Sequence, residues 1–262
     1  EYKMALQLPK GTRDLKPEEA IVRNKIVGTL KNVFELYGYS PLETPAFERY
    51  DILASKYAGG NEILKETFKF SDQGKRELGL RYDLTVPMCR FIAMNPNIKL
   101  PFKRYAIGEV FRDGPVEKAR YRSFTQCDVD VVGIKGMQAD AEIIALTQRA
   151  FKKLGFDVVV RVNNRKLLND LLINAGVKKE QLETAILSVD KLGKFGLETV
   201  KKELKDKKID DATINNIIKI TDIKGNNKDK TDKIKKIINN SEGLNEIGEL
   251  LSSLNILKIN VD

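Results

Sequence analysis

The sequence predicts an α+β fold, in which a mainly antiparallel sheet is flanked by helices and joined to a separate helical domain. Three observations predict it. Apolar residues recur at helical spacing over 15–37 and 138–154, two extended runs at 102–111 and 123–132 flank a polar loop, and a Lys-rich helical pattern begins near residue 164. We therefore assign residues 1–163 to a sheet-containing core and residues 164–262 to a helical domain.

The core region is expected to alternate helices and strands. Pro41 and Pro45 in an extended run are typical of an edge strand, because proline donates no backbone hydrogen bond. A polar, Gly-containing turn between two short extended runs predicts a hairpin. In chain order we expect an extended run at 39–47, a short helix at 50–57, hairpin strands at 67–70 and 77–81, a helix at 86–94 and a last strand at 158–162.

The composition is that of an ordinary globular protein, with 42% apolar and 32% charged residues in 262. No apolar run approaches the roughly 18–20 residues that span a bilayer, so no membrane association is expected. The N-terminal residues do not resemble a signal peptide. We interpret Cys89 and Cys127 as buried free thiols, and a cytoplasmic location is the expectation.

The chain contains no histidine, which excludes Ser-His-Asp and Cys-His chemistry within it. With only two cysteines as well, no protein metal site is predicted. The formal charge is +9, and residues 201–240 hold twelve lysines against seven acidic residues. This excess favours a nucleic acid or a phosphorylated ligand. A solvated Lys-rich surface is an equally good interpretation.

A set of polar and aromatic residues lies in and beside the second long extended run. Arg120, Phe124 and Asp128 are spaced by four, which puts them on one face if the strand includes all three. Arg112 ends the preceding run. Arginine binds phosphate oxygens bidentately, and a phenylalanine ring can stack on a purine. The pattern therefore fits a nucleotide site, although an amphipathic hairpin with exposed arginines fits it too.

The segment FRD…ARYRSFTQCD resembles motif 2 of the class II aminoacyl-tRNA synthetases. The resemblance implies that Arg112 contacts the ATP α-phosphate and the substrate carboxylate and is the catalytic candidate. It also implies ATP-binding positions at Arg120, Phe124 and Asp128, with Phe124 stacked on adenine. YGYSPLETPAFER (37–49) resembles motif 1, with Pro45 as its proline, which implies a homodimer.

Two further segments, LRYDLTVP (80–87) and QCDVDVVG (126–133), resemble the histidyl-tRNA synthetases. The resemblance implies that histidine is bound by Asp83, Leu84, Thr85, Arg112, Gln126 and Asp130. A carboxylate can accept a hydrogen bond from an imidazole N–H, which suits this assignment. The resemblance further implies that the full-length parent uses ATP, as its Mg²⁺ complex, and tRNA(His). Residues 170–255 resemble the insertion domain that lies against tRNA in that family.

The sequence departs from that family's pattern after the insertion. It lacks a second histidine signature of the type Arg-Gly-Leu-Asp-Tyr-Tyr, motif 3 and an anticodon-binding domain. We therefore expect an incomplete N-terminal fragment with poor activity of its own. Two alternatives stay open: a histidine-binding regulatory paralogue of an ATP phosphoribosyltransferase, and a plain tRNA-binding or dimerisation module.

Overall fold

The structure, a computed structural model, describes residues 6–55, 62–116 and 120–261. The helices and strands of this part of the chain follow each other in the order α1 Pro17–Leu36, β1 Ser40–Pro41, β2 Phe47–Arg49, α2 Tyr50–Ser55, α3 Glu62–Lys65, β3 Lys69–Ser71, β4 Glu77–Leu80, α4 Thr85–Met94, β5 Phe102–Phe111, β6 Ser123–Val132, α5 Gln138–Lys153, α6 Arg165–Ala175, α7 Leu182–Val189, α8 Leu192–Asp206, α9 Asp211–Thr221, α10 Asn227–Ile237 and α11 Glu242–Ile256.

A long hairpin of β5 and β6 dominates the first sheet. Its ten residue pairs run from Phe102↔Val132 to Phe111↔Ser123, and β1 adds to β5 as a short parallel strand. Alternating β-branched and aromatic residues favour this pairing, because they pack well on a pleated surface. The second sheet has the antiparallel order β2-β4-β3. The predicted mixed, mainly antiparallel architecture with flanking helices is confirmed.

The chain forms two compact units, one of Glu1–Ile134 with Arg149–Phe156 and one of Lys135–Gln148 with Asp157–Asp262. In the second unit, α6 to α9 enclose an apolar core that includes Leu172, Ile186 and Leu204. The first part of α5 packs Ala141 against Leu250 and Leu254 of α11 in a further cluster of this unit. The domain boundary at residue 163 stays a prediction.

The predicted strand at 158–162 is wrong. Residues 157–164 form neither helix nor strand, and Val159 is 75% exposed. A strand must pair its backbone N–H and C=O groups with a neighbour, and propensity alone cannot supply one. Val162 instead packs its side chain on the α5–α11 cluster. Residues 56–57 of the predicted helix and 117–119 of the hairpin loop lie outside the described residues.

The expectation of buried thiols is also wrong, because Cys89 and Cys127 are free but exposed. Cys127 lies at an odd-numbered position of β6, on the opposite face from the acidic residues, and Cys89 lies on the outer side of α4. In α1, only Val33 and Phe34 are buried, whereas Ile21, Val22 and Ile26 are 68%, 58% and 41% exposed. Among the described helices, none has the length and apolar character needed to cross a membrane.

Candidate functional site

The even-numbered residues of β6 carry the predicted site along one face of the hairpin. Phe124, Gln126, Asp128 and Asp130 alternate with residues that face the other way, as the period-two spacing predicted. Their partners across the ladder are, in the same order, Val110, Gly108, Ala106 and Arg104. The middle of β5 thus adds little bulk opposite the polar residues of β6.

The turn that precedes α4 forms a second side of the site. Oδ1 of Asp83 accepts hydrogen bonds from the backbone N–H groups of Thr85 at 3.1 Å and Val86 at 2.9 Å, so this carboxylate caps the helix. The side chain of Leu84 is buried and packs with the apolar residues Ala106, Val110 and Phe124 of the hairpin. This packing brings the predicted residues 83–85 to the same face as Phe124.

Arg104 connects these two sides and was missed from the sequence. Its guanidinium is almost fully buried, with 1% of the side chain exposed. Nη2 donates to the backbone oxygen of Leu84 at 3.1 Å and lies 2.7 Å from Oδ2 of Asp130. A usable signal existed, because an arginine at an even position of a largely apolar strand shares the face of Ala106 and Gly108.

Asp130 lies in an unusual electrostatic setting. Burial raises the pKa of its carboxyl group, the charge of Arg104 opposes that rise, and the nearby carboxylates of Asp128 and Asp83 add to it. Oδ2 is buried, and within the described part of the chain no group donates a hydrogen bond to it. Oδ2 thus forms a short ion pair with Arg104, and the 27% of the Asp130 side chain that is exposed lies elsewhere on the residue.

Gln126 and Asp128 lie on β6 between Phe124 and Asp130. The amide Nε2 of Gln126 donates to both carboxylate oxygens of Asp128, at 3.0 Å each. Both side chains are partly exposed, so a ligand on this face can reach them. An amide and three carboxylates within reach of one surface suit a cationic or N–H-rich small molecule.

Arg112 and Phe124 lie at the loop end of the hairpin. The Arg112 guanidinium is stacked over the Phe124 ring, 5.1 Å from its centroid, and its Nε donates to the backbone oxygen of Tyr82 at 3.2 Å. Arg120 is exposed and belongs to an isolated backbone β-bridge, outside β6, which begins at Ser123. The shared-face argument therefore does not extend to Arg120.

A second buried arginine, Arg81, lies against β5 beside the site, and the sequence analysis did not identify it either. Arg81 donates from Nε to the backbone oxygen of Glu109 at 2.8 Å and from Nη1 to that of Thr44 at 2.7 Å. A Cβ atom at Gly108 would lie 2.6 Å from Nη2 of Arg81. Gly108 therefore allows the guanidinium to lie against the strand. In residues 6–55, 62–116 and 120–261 no group of three or more His, Cys, Asp or Glu side chains could hold a metal ion.

The chain matches known proteins over nearly its whole length. A family profile described as histidyl-tRNA synthetase matches residues 11–261. A histidine–tRNA ligase 1 of Bacillus cereus is 43% identical, over 98% of this chain and 61% of that protein. A histidine–tRNA ligase of Helicobacter hepaticus is 37% identical, over 96% of this chain and 60% of that protein.

Solved structures give the same result. The histidyl-tRNA synthetase from Nostoc sp. PCC 7120 superimposes with a TM-score of 0.87 at 30% identity, over 98% of this chain and 60% of that one. An ATP phosphoribosyltransferase regulatory subunit/histidyl-tRNA synthetase from Bacillus halodurans has a TM-score of 0.81 at 22% identity, over 97% of this chain and 66% of that one, which shows the fold alone. The chain spans about 60% of the length of the curated relatives named here. On the family profile and these identities, the chain belongs to the histidyl-tRNA synthetase family.

Proposed function

We propose that this chain provides a histidine- and ATP-binding face of a histidine–tRNA ligase. The whole protein would activate histidine with ATP, which enters as its Mg²⁺ complex, and then transfer it to tRNA(His). The observation that carries the proposal is the carboxyl group of Asp130, which is paired through its buried Oδ2 with Arg104 while 27% of its side chain is exposed on the face of Gln126 and Phe124. A carboxylate held in this way can accept a hydrogen bond from a ligand N–H on its exposed side.

The histidine ring would bind along β6. One imidazole N–H would donate to Asp130, and Gln126 would contact the other side of the ring. Asp83, whose Oδ1 caps α4, and Thr85 would receive the substrate ammonium group. A site built this way rejects an amino acid of similar shape without ring nitrogens, because the buried polar groups would then stay unpaired.

The nucleotide would bind at the loop end of the hairpin. Arg112 would neutralise charge at the α-phosphate and contact the histidine carboxylate, which makes it the catalytic candidate of this chain. Phe124 would stack on adenine, and Arg120 and Asp128 would complete the ATP contacts. Mg²⁺ is a part of the substrate in this scheme.

Two surfaces support the proposed macromolecular partners. The lysine excess of residues 201–240 suits the phosphate backbone of tRNA, since cationic side chains dominate such contacts. A homodimer would form through the motif 1-like segment 37–49, and the exposed apolar residues of α1, the helix just before it, offer surface that a second copy could cover. The helical domain, residues 164–262, would be the insertion domain.

We further propose that this chain by itself binds its small substrates better than it charges tRNA. The arginines of the second histidine signature and of motif 3, which these 262 residues do not contain, would each neutralise charge in the transition state. Losing one such contact costs about 2–4 kcal/mol, or a hundredfold to a thousandfold in rate. Aminoacylation by a preparation of these 262 residues at the rate of the curated relatives would contradict this.

Calorimetric titration of the chain with histidine and with phenylalanine tests the amino-acid site. We expect histidine to bind, phenylalanine not to bind, and Asp130→Asn to abolish the difference. Asp157→Asn is the matched control, since Asp157 is exposed in the other unit and should leave binding unchanged. Equal binding of the two amino acids would refute the pocket. In the whole protein, histidine-dependent ATP–pyrophosphate exchange separates a ligase from a regulatory paralogue, which would instead associate with an ATP phosphoribosyltransferase.

A further inference from the structure

We propose that Arg104 is a positioning residue that fixes the Asp130 carboxylate against the turn of residues 83–85 and so sets the geometry of the histidine pocket. The inference rests on the proposed function, because it assigns a role within the same amino-acid site. Arg104 itself is too deeply buried to touch the substrate, with 1% of its side chain exposed. It would act through the residues that do.

The contacts of Arg104 join two segments that are distant in sequence. Nη2 reaches both the backbone oxygen of Leu84, at 3.1 Å, and Oδ2 of Asp130, at 2.7 Å. Nε points to Sδ of Met88 in α4, at 3.1 Å. The register of the hairpin places Arg104 directly opposite Asp130. One planar group thus fixes the distance between the helix-capping turn and the acidic end of β6.

The charge of Arg104 matters as much as its shape. Asp128 and Asp83 are the two carboxylates that disfavour ionisation of Asp130, and Arg104 is the cation that favours it. A guanidinium stays protonated at every pH at which proteins fold, so the balancing charge is permanent. Without it, burial and two like charges would favour a neutral Asp130, which is a poorer acceptor for an imidazole N–H.

The geometry of the ion pair keeps the acceptor available. Nη2 of Arg104 lies 2.7 Å from Oδ2, which is buried, whereas 27% of the Asp130 side chain is exposed. Arg104 therefore supplies positive charge from the buried side and leaves the exposed part of the carboxyl group to a ligand. A lysine at this position could supply charge, but a single ammonium on a flexible stem cannot reproduce the planar contact with both Leu84 and Asp130.

The test uses the whole chain with ¹³C-labelled aspartate side chains, with the Asp130 signal assigned from Asp130→Asn. NMR titration gives the midpoint pH at which half of the Asp130 carboxyl groups are protonated, and calorimetry gives the affinity for histidine. In Arg104→Met we expect the midpoint to rise by about one pH unit, a tenfold change in the protonation equilibrium, and histidine affinity to fall about tenfold or more. In Arg104→Lys we expect a smaller midpoint change but a clear loss of affinity.

The control is Arg90→Met, which removes another partly buried arginine. Arg90 lies on α4 and pairs with the buried Glu48 at 2.7 Å, away from the acidic residues of β6. It should alter neither the midpoint nor the affinity. An unchanged Asp130 midpoint in a folded Arg104→Met would overturn the inference. If Arg104→Met does not fold, the inference would be overturned by an Arg104→Lys variant whose Asp130 midpoint and histidine affinity equal those of the unsubstituted chain. Failure of the unsubstituted chain to bind histidine would instead refute the proposed function, while the midpoint still tests the ion pair.

Discussion

The guanidinium of Arg112 covers one face of the Phe124 ring, with its central carbon 5.1 Å from the ring centroid. The ring also packs against the buried side chains of Leu84, Ala106 and Val110. An adenine that stacks on that same face of Phe124 would have to take the position that Arg112 occupies. We expect ATP binding to move Arg112 off the ring and towards the phosphates, where its charge is needed.

Phe124→Leu should weaken ATP binding by about 1–3 kcal/mol, the usual contribution of stacking a base on an aromatic side chain. Phe124→Tyr keeps the ring and should bind ATP nearly as well as the unsubstituted chain. Calorimetric titration with ATP and Mg²⁺ measures both. Equal affinity of the leucine and tyrosine variants would show that adenine does not stack on this ring.

Two substitutions of Asp83 should distinguish its effect on stability from its effect on histidine binding. Asp83→Ala removes the acceptor for the N–H groups of Thr85 and Val86, so we expect the free energy of unfolding to fall by about 0.5–2 kcal/mol. Asp83→Asn keeps a capping oxygen and should stay close to the original stability. Both substitutions remove the negative charge proposed for the substrate ammonium group, so both should lose histidine affinity. Urea unfolding and calorimetry provide the two measurements, and full histidine affinity in Asp83→Asn would contradict the assignment.

Gly108→Ala should destabilise the first unit. The added Cβ would lie 2.6 Å from Nη2 of Arg81, so the guanidinium would have to shift although its Nε and Nη1 are bonded to Glu109 and Thr44. Overpacking of this kind costs about 1–3 kcal/mol. Gly28→Ala in α1 is the control: a Cβ there meets nothing within 4 Å, and alanine favours a helix by up to about 1 kcal/mol. Urea unfolding that ranks the two variants the other way would contradict the close approach of Arg81.

Glu203 should make the helical unit sensitive to acid. Hydrogen bonds from Lys191 and Lys207, at 2.8 and 2.7 Å, lower the pKa of its carboxyl group to about 2. A lowered pKa stabilises the fold above the unfolded value near 4.5, and this contribution is lost as pH falls from there to about 2.

Glu203→Gln should therefore lower the unfolding temperature at pH 7 and have little effect near pH 2. The matched control is Glu198→Gln, because Glu198 pairs with Lys201 but is 83% exposed and should change stability little at any pH. Thermal unfolding followed by circular dichroism from pH 7 to pH 2 measures both. A difference between Glu203→Gln and the unsubstituted chain that persists undiminished at pH 2 would contradict the explanation.

The sequence by itself determined which residues of β6 share a face. Strand periodicity is a local property of the backbone, so the spacing of Phe124, Gln126, Asp128 and Asp130 was enough. Local patterns also placed the long helices and the β3–β4 turn. The same reasoning failed at residues 158–162, where β-branched side chains favour a strand but no neighbour pairs with it.

The tertiary structure alone decided what surrounds that face. The ion pair of Arg104 with Asp130 depends on the register between two strands, and the contact of Arg81 with Gly108 depends on how β4 ends beside β5. The stacking of Arg112 on Phe124 joins residues on either side of a loop. Each is a contact between residues distant in sequence, whose energy depends on burial and orientation. Periodicity and residue type do not specify this burial and orientation, because both depend on how distant segments pack together.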